Sequence, residues 1–321
     1  MCIRDSSYAK GLVIRMRRSK TLRAPGGLWQ EMKKSRISYL FILPYVALFF
    51  IFVVLPVAVS LVLSFTSFNV LEPPRFTGLA NYTRLLFNDS VFLKGVQNTI
   101  ILSVVLGPGS YLLCMLFAWF INELKPKMRA FVTLIFYAPS ISGNIYLIWQ
   151  VMFSGDEYGY VNSLLLKLGL IYQPVQWLQN ANTVLIIVIL VSLWMSLGTG
   201  FLSLIAAFQG IDKSYYEAGA VDGIKNRWQE LWFITLPMMK PQLMFGAVMS
   251  ITSSFGVGPV ITALCGYPTT DYAAHTVMNH LTDYGTIRFE MGYASAIAVF
   301  LFFMMVGTNL LIKHFLSRVG E

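Results

Sequence analysis

The 321-residue chain is 56% hydrophobic and only 12% charged, about half the charged share of a soluble domain. That leaves too little polar surface for a water-soluble globule of this size, so lipid is the expected solvent for much of the chain. The net charge of +9 does not indicate a nucleic-acid partner, because the basic residues cluster between long apolar runs and no basic stripe is interleaved with stacking aromatics.

In chain order, a basic tail occupies residues 1–38, and its first residues, Met1 to Ser6, are assigned no role. The first apolar run follows and is too long for the core of a cleaved signal peptide. A helix rises about 1.5 Å per residue, so about 20 apolar residues cross a hydrocarbon core. Six runs meet that test, at 39–64, 97–120, 130–152, 182–207, 243–264 and 293–315. The expected fold is an all-α polytopic bundle of six transmembrane helices. With both termini placed in the cytoplasm, 19 of the 24 Lys and Arg fall in inner segments and 5 in outer ones. Short basic loops are retained inside, so this split predicts cytoplasmic termini. All 15 Asp and Glu fall outside the six runs, whereas ion-coupled transporters usually keep ionisable groups at mid-membrane. Cys2, Cys114 and Cys265 form neither a disulfide framework nor a zinc spacing.

Between the fourth and fifth runs lies 208–242, long for a mere connection. Ser214 and Glu217 are spaced as a capping box, with Ser214 as N-cap. Gly223 suits the left-handed turn that often ends a helix. Asn226 and Gln229 repeat the start signal, Trp228, Leu231 and Trp232 follow, and Leu236-Pro237 marks the stop. The segment thus reads as helix, glycine hinge, helix, proline stop. Periodicity alone leaves two uses open: an amphipathic piece lying on the membrane surface, or a rigid element on which a cytoplasmic partner acts.

The residues themselves go further. Glu217-Ala218-Gly219, Asp222-Gly223, Ile234, Leu236-Pro237 and Pro241 resemble the EAA loop of the permease subunits of ABC importers. That pattern is Glu-Ala-Ala, a glycine a few residues on, and a late Ile-x-Leu-Pro. Gly219 departs from it, at a cost in helix stability of about 1 kcal/mol. Phe76-Thr77-Gly78-Leu79-Ala80-Asn81-Tyr82, Asn98-Thr99 and Gly292-Tyr293-Ala294-Ser295-Ala296 are similar to stretches of the sugar-type subfamily. The resemblance covers nearly all of 38–318. It implies a permease domain over 39–318 in a bacterial inner membrane. It also implies an assembly with a second permease subunit, two ATPase subunits and an extracytoplasmic solute-binding protein. Glu217, Ala218, Gly219, Asp222, Gly223, Ile234, Leu236 and Pro237 would then form the ATPase-coupling element. The chain has no Gly-Lys dipeptide, hence no Walker A loop. ATP is expected on partner subunits, and this chain is expected to need no cofactor of its own and to be no enzyme.

Polar residues inside the apolar runs are few. Tyr137, Ser140 and Asn144 are spaced to share one helix face beside Pro139, which is expected to bend the helix. Ser192, Ser196 and Thr199 are spaced likewise, and Ser250, Ser253 and Ser254 cluster. These residues suit either a hydrated pathway or helix–helix packing. Tyr137, Asn144, Trp194 and Ser253 are the candidates for cargo contact, the two aromatics by stacking on a sugar ring. His275 and His280 are five apart in an outer loop and, with His314, are expected to be solvated rather than metal-binding. No catalytic set of nucleophile, base and orienting group is visible. The competing class is an ion-coupled secondary transporter, for which inverted repeats and broken mid-membrane helices are the expected signs, neither evident in the sequence.

Overall fold

In the computed structural model, residues 36–143 and 145–318 are described. The basic tail up to residue 35 and Asn144 lie outside them, as does the side chain of His314. The chain divides into two units, one ending at Val59 and the other starting at Ser60.

The first unit carries α1 (Arg36–Phe49), a π-helical turn Phe50–Val54 and the start of α2 (Leu55–Leu63). The run Tyr39–Leu63 is long and apolar enough to cross a membrane. Its side chains up to Val59 are exposed or nearly so, as befits a helix whose solvent is lipid. The widened turn has a local cause. Pro56 cannot donate to the preceding turn and its ring crowds it, so the helix absorbs an extra residue just before it.

The second unit is helical, with one exception to the all-α expectation: β1 (Thr66–Ser67) and β2 (Arg75–Phe76) pair antiparallel over two residues each. Its organising element is α3 (Ser90–Asn122), 33 residues long. At about 1.5 Å per residue it spans about 50 Å, more than a hydrocarbon core needs. Gly107 lets the helix α10 (Lys240–Ser254) come close, since a Cβ there would lie 3.1 Å from Ile251.

The third, fourth and fifth expected spans are not continuous helices. The third divides into α4 (Pro126–Ile141) and α5 (Tyr146–Met152). The fourth divides into α6 (Val184–Met195) and α7 (Thr199–Gln209). The fifth divides into α10 and α11 (Gly258–Cys265), bent by 48°. Each break has a residue-level reason. Pro139 sits near the end of α4, Gly198 and Gly200 flank the start of α7, and Gly256, Gly258 and Pro259 interrupt the fifth. Three helices among the described residues are long and apolar enough to span alone, and the count reaches six when each bent pair is one span. The last is α13 (Met291–Arg318).

The segments 65–96 and 265–292 are tightly knitted, and motifs singled out in the sequence supply the knots. The Asn81 side-chain amide donates to the carbonyls of Ser64 and Thr66, both at 2.9 Å, and Tyr82 donates to Ser64 Oγ. Gly292 donates its amide to Phe68, and any Cβ on it would collide with the Thr66 carbonyl. Asn98, buried in α3, donates to the carbonyls of Ala273 at 3.0 Å and His275 at 2.8 Å, while Thr99 Oγ1 accepts from the Val277 amide. His275 and His280 contradict their expected solvation: both are nearly fully buried. The short helix α12 (Val277–Thr282) carries His280 inward against α3 and α13.

Candidate functional site

The segment 208–242 folds as a cross-braced helical hairpin. Its first helix is α8 (Lys213–Val221), and the N-cap is Asp212, not Ser214. The Asp212 carboxylate accepts from the Ser214 amide at 3.0 Å, which also holds its pKa below the ordinary value. A carboxylate one turn-position earlier out-competes the serine for the free amides of the first turn. Glu217 is therefore not needed in a capping box, and its side chain is exposed.

The C-terminus of α8 follows the sequence expectation. Gly223 adopts φ +96°. The Ile224 amide then reaches back to the Gly219 carbonyl at 2.9 Å, and the Gly223 amide to Ala220 at 3.4 Å. This is a Schellman closure, which satisfies carbonyls that the helix end would otherwise leave open. The second helix starts at α9 (Arg227–Glu230). Asn226 caps it through the Gln229 amide, and the Gln229 side chain returns to the Lys225 amide at 2.8 Å. A π-turn, Leu231–Thr235, leads into Leu236-Pro237. As at Pro56, the widened turn ends just before the proline.

Two contacts lock the two arms together, and a third anchors the pair. Ile234 packs on Gly219, where an added Cβ would lie 2.6 Å from its Cδ1 and 3.0 Å from that of Ile224. The departure from alanine at 219 thus has a steric reason. Tyr216 Oη and Thr235 Oγ1 are 3.0 Å apart. Leu231 is buried in an apolar cluster with Cys114, Ala118, Ile121, Phe201 and Phe208, which ties the hairpin to α3 and α7. At the rim, Arg227 bridges Glu230 at 2.6 Å and Glu123 of α3 at 3.2 Å. The hydrogen bond that Arg227 donates to Glu230, then the Glu123 charge, raise the Arg227 pKa above its ordinary value. Trp228 packs against Trp119 with the rings tilted by 59° and centroids 4.8 Å apart. An open groove of about 670 Å³ runs between the arms and the end of α3, with Glu217, Lys213 and Arg129 on its walls.

Seen from outside, α8 presents Glu217, Ala218, Val221 and Asp222, all exposed, while Gly219 faces inward. Ile234 and Leu236 are half-buried and brace the hairpin; Pro237 is exposed. The structure therefore divides the eight candidate residues into an exposed face and the braces behind it.

The candidate pathway residues are not brought together. Because α4 ends at Ile141, Tyr137 and Ser140 do not continue as one helix face to Asn144, which lies outside the described residues. The break before α7 likewise separates Ser192 and Ser196 from Thr199. Trp194 meets Trp149 edge-on at 5.2 Å. Ser253 is exposed and bonds only to the Ser250 carbonyl among the described contacts. No hydrogen bond or ring contact joins Tyr137, Trp194 and Ser253 to one another among the described residues. What sequence reasoning missed is the juxtaposition of two breaks. A Cβ on Gly198 would lie 3.4 Å from that of Ser140, and Cys114 Sγ donates to the Ser196 carbonyl at 3.3 Å. The proline and glycines at these places were visible, but their proximity is a tertiary fact.

Comparison with known proteins agrees with this architecture. A family model, the binding-protein-dependent transport system inner membrane component, matches residues 122–321. The chain is 34% identical to the probable ABC transporter permease protein YesP of Bacillus subtilis, over 83% of this chain and 88% of that one. It is 34% identical to the lactose transport system permease protein LacF of Rhizobium radiobacter, over 68% and 71% of the two chains. A chain from the crystal structure of a bacterial alginate ABC transporter, in complex with an alginate pentasaccharide-bound periplasmic protein, superposes with a TM-score of 0.76. That match has 25% identity and covers 92% of this chain and 98% of the other. This is a multi-pass membrane protein and a transport subunit, and it belongs to the binding-protein-dependent transport system inner membrane component family.

Proposed function

We propose that the chain is one of two permease subunits of a bacterial inner-membrane ABC importer for an oligosaccharide or related carbohydrate. Cargo is delivered by an extracytoplasmic solute-binding protein, and two partner ATPase subunits bind and hydrolyse the ATP. The observation that carries this reading is the hairpin 213–238. It is a rigid helical pair, braced at Gly219–Ile234 and Tyr216–Thr235 and anchored by Leu231, with the Glu217, Ala218 and Asp222 face left open. A surface-lying amphipathic helix needs none of those braces. A part that transmits force needs them all, because a push on α8 must arrive at α3 and α7 undiminished.

The carbohydrate class is supported by the relatives, which include permeases named for lactose and for arabinooligosaccharides. Tyr137 and Trp194 are proposed to offer ring faces to the cargo, with Asn144 and Ser253 as polar contacts. The Ser140–Gly198 approach supports a pathway there, since interrupted backbone at membrane depth is tolerated where it lines a cavity or is buried in protein. Broken helices were the sign expected of an ion-coupled carrier, and they are present. They no longer separate the two classes, and the family match decides for the ABC importer. Purifying the tagged full-length chain from native membranes is expected to bring an ATP-hydrolysing subunit with it in about equal amount. Recovery of this chain without any ATPase, under conditions that keep its other partners bound, would reject the assignment.

The proposed topology has six spans, three of them bent, with 208–242 in the cytoplasm, 265–292 outside and both termini inside. The charge split supports it. Thiol labelling of intact cells with an impermeant reagent is expected at Asp271→Cys and not at Lys225→Cys. The reverse pattern would overturn the orientation.

A further inference from the structure

The segment 265–292 holds a buried set of ionisable groups that import of a neutral sugar does not require. Asp89, the N-cap of α3, accepts from the Phe92 amide at 2.8 Å through Oδ1. Its Oδ2 lies 3.0 Å from His280 Nε2 and accepts from the Tyr293 hydroxyl at 2.8 Å. His280 Nδ1 lies 3.1 Å from His275 Nε2. His275 Nδ1 is buried and meets no hydrogen-bond partner among the described residues. The four residues form one chain, His275–His280–Asp89–Tyr293, that crosses from the 265–292 segment to α3 and α13.

Proton counting along this chain is restrictive. Two facing ring nitrogens 3.1 Å apart can share one hydrogen and no more. With both rings neutral, His280 Nε2 donates to Asp89, His275 Nε2 donates to His280 Nδ1, and the bare His275 Nδ1 is left as an acceptor. Add one proton, and whichever ring takes the charge, an N–H comes to rest on His275 Nδ1. A buried donor without a partner costs more than a bare acceptor does in this apolar setting.

We propose that His275, His280 and Asp89 form a clasp, closed only while the two histidines are neutral, that holds 275–284 on the outer end of α3 and loosens when the dyad takes up a proton. Exposure of this clasp to external pH rests on the topology proposed above; the clasp itself does not.

The surroundings support a proton switch confined to the dyad. Burial, then the neighbouring His280, lowers the His275 pKa to about 4, against a smaller opposing effect of Asp89. Burial alone would raise the Asp89 pKa, but the hydrogen bonds from His280, Phe92 and Tyr293 bring it well below the ordinary carboxylate value. On the 265–292 side, the Tyr267 and Tyr272 rings flank His275, and Tyr284 lies against His280. Burial raises the pKa of both Tyr267 and Tyr284, so neither titrates in acid. Arg84 and Arg288 lie over the Tyr284 ring and are paired with Glu290 and Asp283 respectively. From α3, Lys94 is tied to the Asp271 carbonyl, away from the dyad.

The direction of the pH effect follows. His275 binds a proton at the ordinary histidine value of 6.5 in the open form and only at about 4 in the closed form. The closed state is therefore fully stable above 6.5 and loses stability as pH falls toward 4. Asp89 acts in the same direction, but only near and below its unfolded value of 3.8. By this linkage the opening constant rises about 30-fold between pH 7.5 and 5.0.

Amide hydrogen exchange of the full-length protein, corrected for intrinsic rates, tests this in a uniform buffer and so independently of orientation. Residues 276–284 are expected to lose protection about 30-fold from pH 7.5 to 5.0, and His275→Phe to reduce that change to under about threefold. Equal protection at both pH values, or the same profile in His275→Phe, would overturn the clasp. In the unmodified protein, an NMR titration placing the His275 pKa below 5 supports it, and one placing it near 6.5 overturns it. If the clasp passes while thiol labelling puts Asp271 in the cytoplasm, only its link to external pH falls.

Discussion

Gly223→Val is expected to cut uptake by at least about tenfold while leaving the chain inserted and abundant. Gly223 sits at φ +96°, where a β-branched residue is strained by about 2 kcal/mol. The chain relieves that strain by giving up the turn. The Ile224 amide then leaves the Gly219 carbonyl, and Ile224 leaves its place beside Ile234. Both losses fall on the end of α8 that presents Val221 and Asp222. About 1.4 kcal/mol of misalignment is a factor of ten in an equilibrium, so docking of the ATPase should weaken in step with uptake. Glu217→Lys isolates the partner contribution. Its side chain is exposed and makes no cap, so the fold should not register the change, yet uptake and ATPase retention should both drop by a similar factor. Radiolabelled uptake, quantitative immunoblotting of the membrane fraction and co-purification separate these readouts. Near wild-type uptake in both variants, with the ATPase still bound, would remove the coupling role from this face.

Asn98→Leu is expected to be strongly destabilising for the packing of 265–292 against α3. Leucine has the same number of side-chain heavy atoms in the same branched arrangement and is the larger residue, so no cavity enters the argument. The lost side-chain amide leaves the carbonyls of Ala273 and His275 without their donor in a buried place. Each unsatisfied buried group costs about 1–3 kcal/mol, so the pair costs about 2–6 kcal/mol. The 265–276 stretch should become cleavable by an added protease at least about tenfold faster than in the parent. Thr99→Ser keeps the hydroxyl that receives the Val277 amide and should cleave at the parent rate. Equal protection of Asn98→Leu and the parent would show that these hydrogen bonds do not hold the segment.

Much of this was legible in the sequence, for identifiable reasons. Long apolar runs and the asymmetry of Lys and Arg act through solvation, which is local, so membrane character could be read directly. The Gly223 turn and the Asn226 cap are short-range chemistry and appear in the structure where the residues placed them, whereas the helix runs through Pro237 to Met238 and turns at Met239. The Ser214 cap failed because Asp212 stood nearer the free amides and competes better for them. A bend near Pro139 in the run 130–152 was legible from the proline itself, but the breaks within 182–207 and 243–264 were not read, because hydropathy does not register a break. Pro139, Gly198 and Gly258-Pro259 interrupt the backbone without making the run less apolar. His275 and His280 looked solvated because a polar loop gives no hint that it folds inward. Only the Asp89 partner, 191 residues away from His280, makes their burial tolerable, and no spacing rule reaches that far. The shared faces read for Tyr137, Ser140 and Asn144 and for Ser192, Ser196 and Thr199 cross helix breaks, while Ser250, Ser253 and Ser254 remain in one helix.

The central claim is that this chain forms a sugar pathway driven by ATP through the 213–238 hairpin. It is tested most directly in proteoliposomes containing the assembly purified through this chain. The solute-binding protein and a labelled oligosaccharide are supplied on one side, and ATP or none on the ATPase side. The account predicts uptake that requires both ATP and the binding protein, and that is unchanged when proton and sodium gradients are collapsed. Uptake that proceeds without ATP and stops when an ion gradient is collapsed would contradict it.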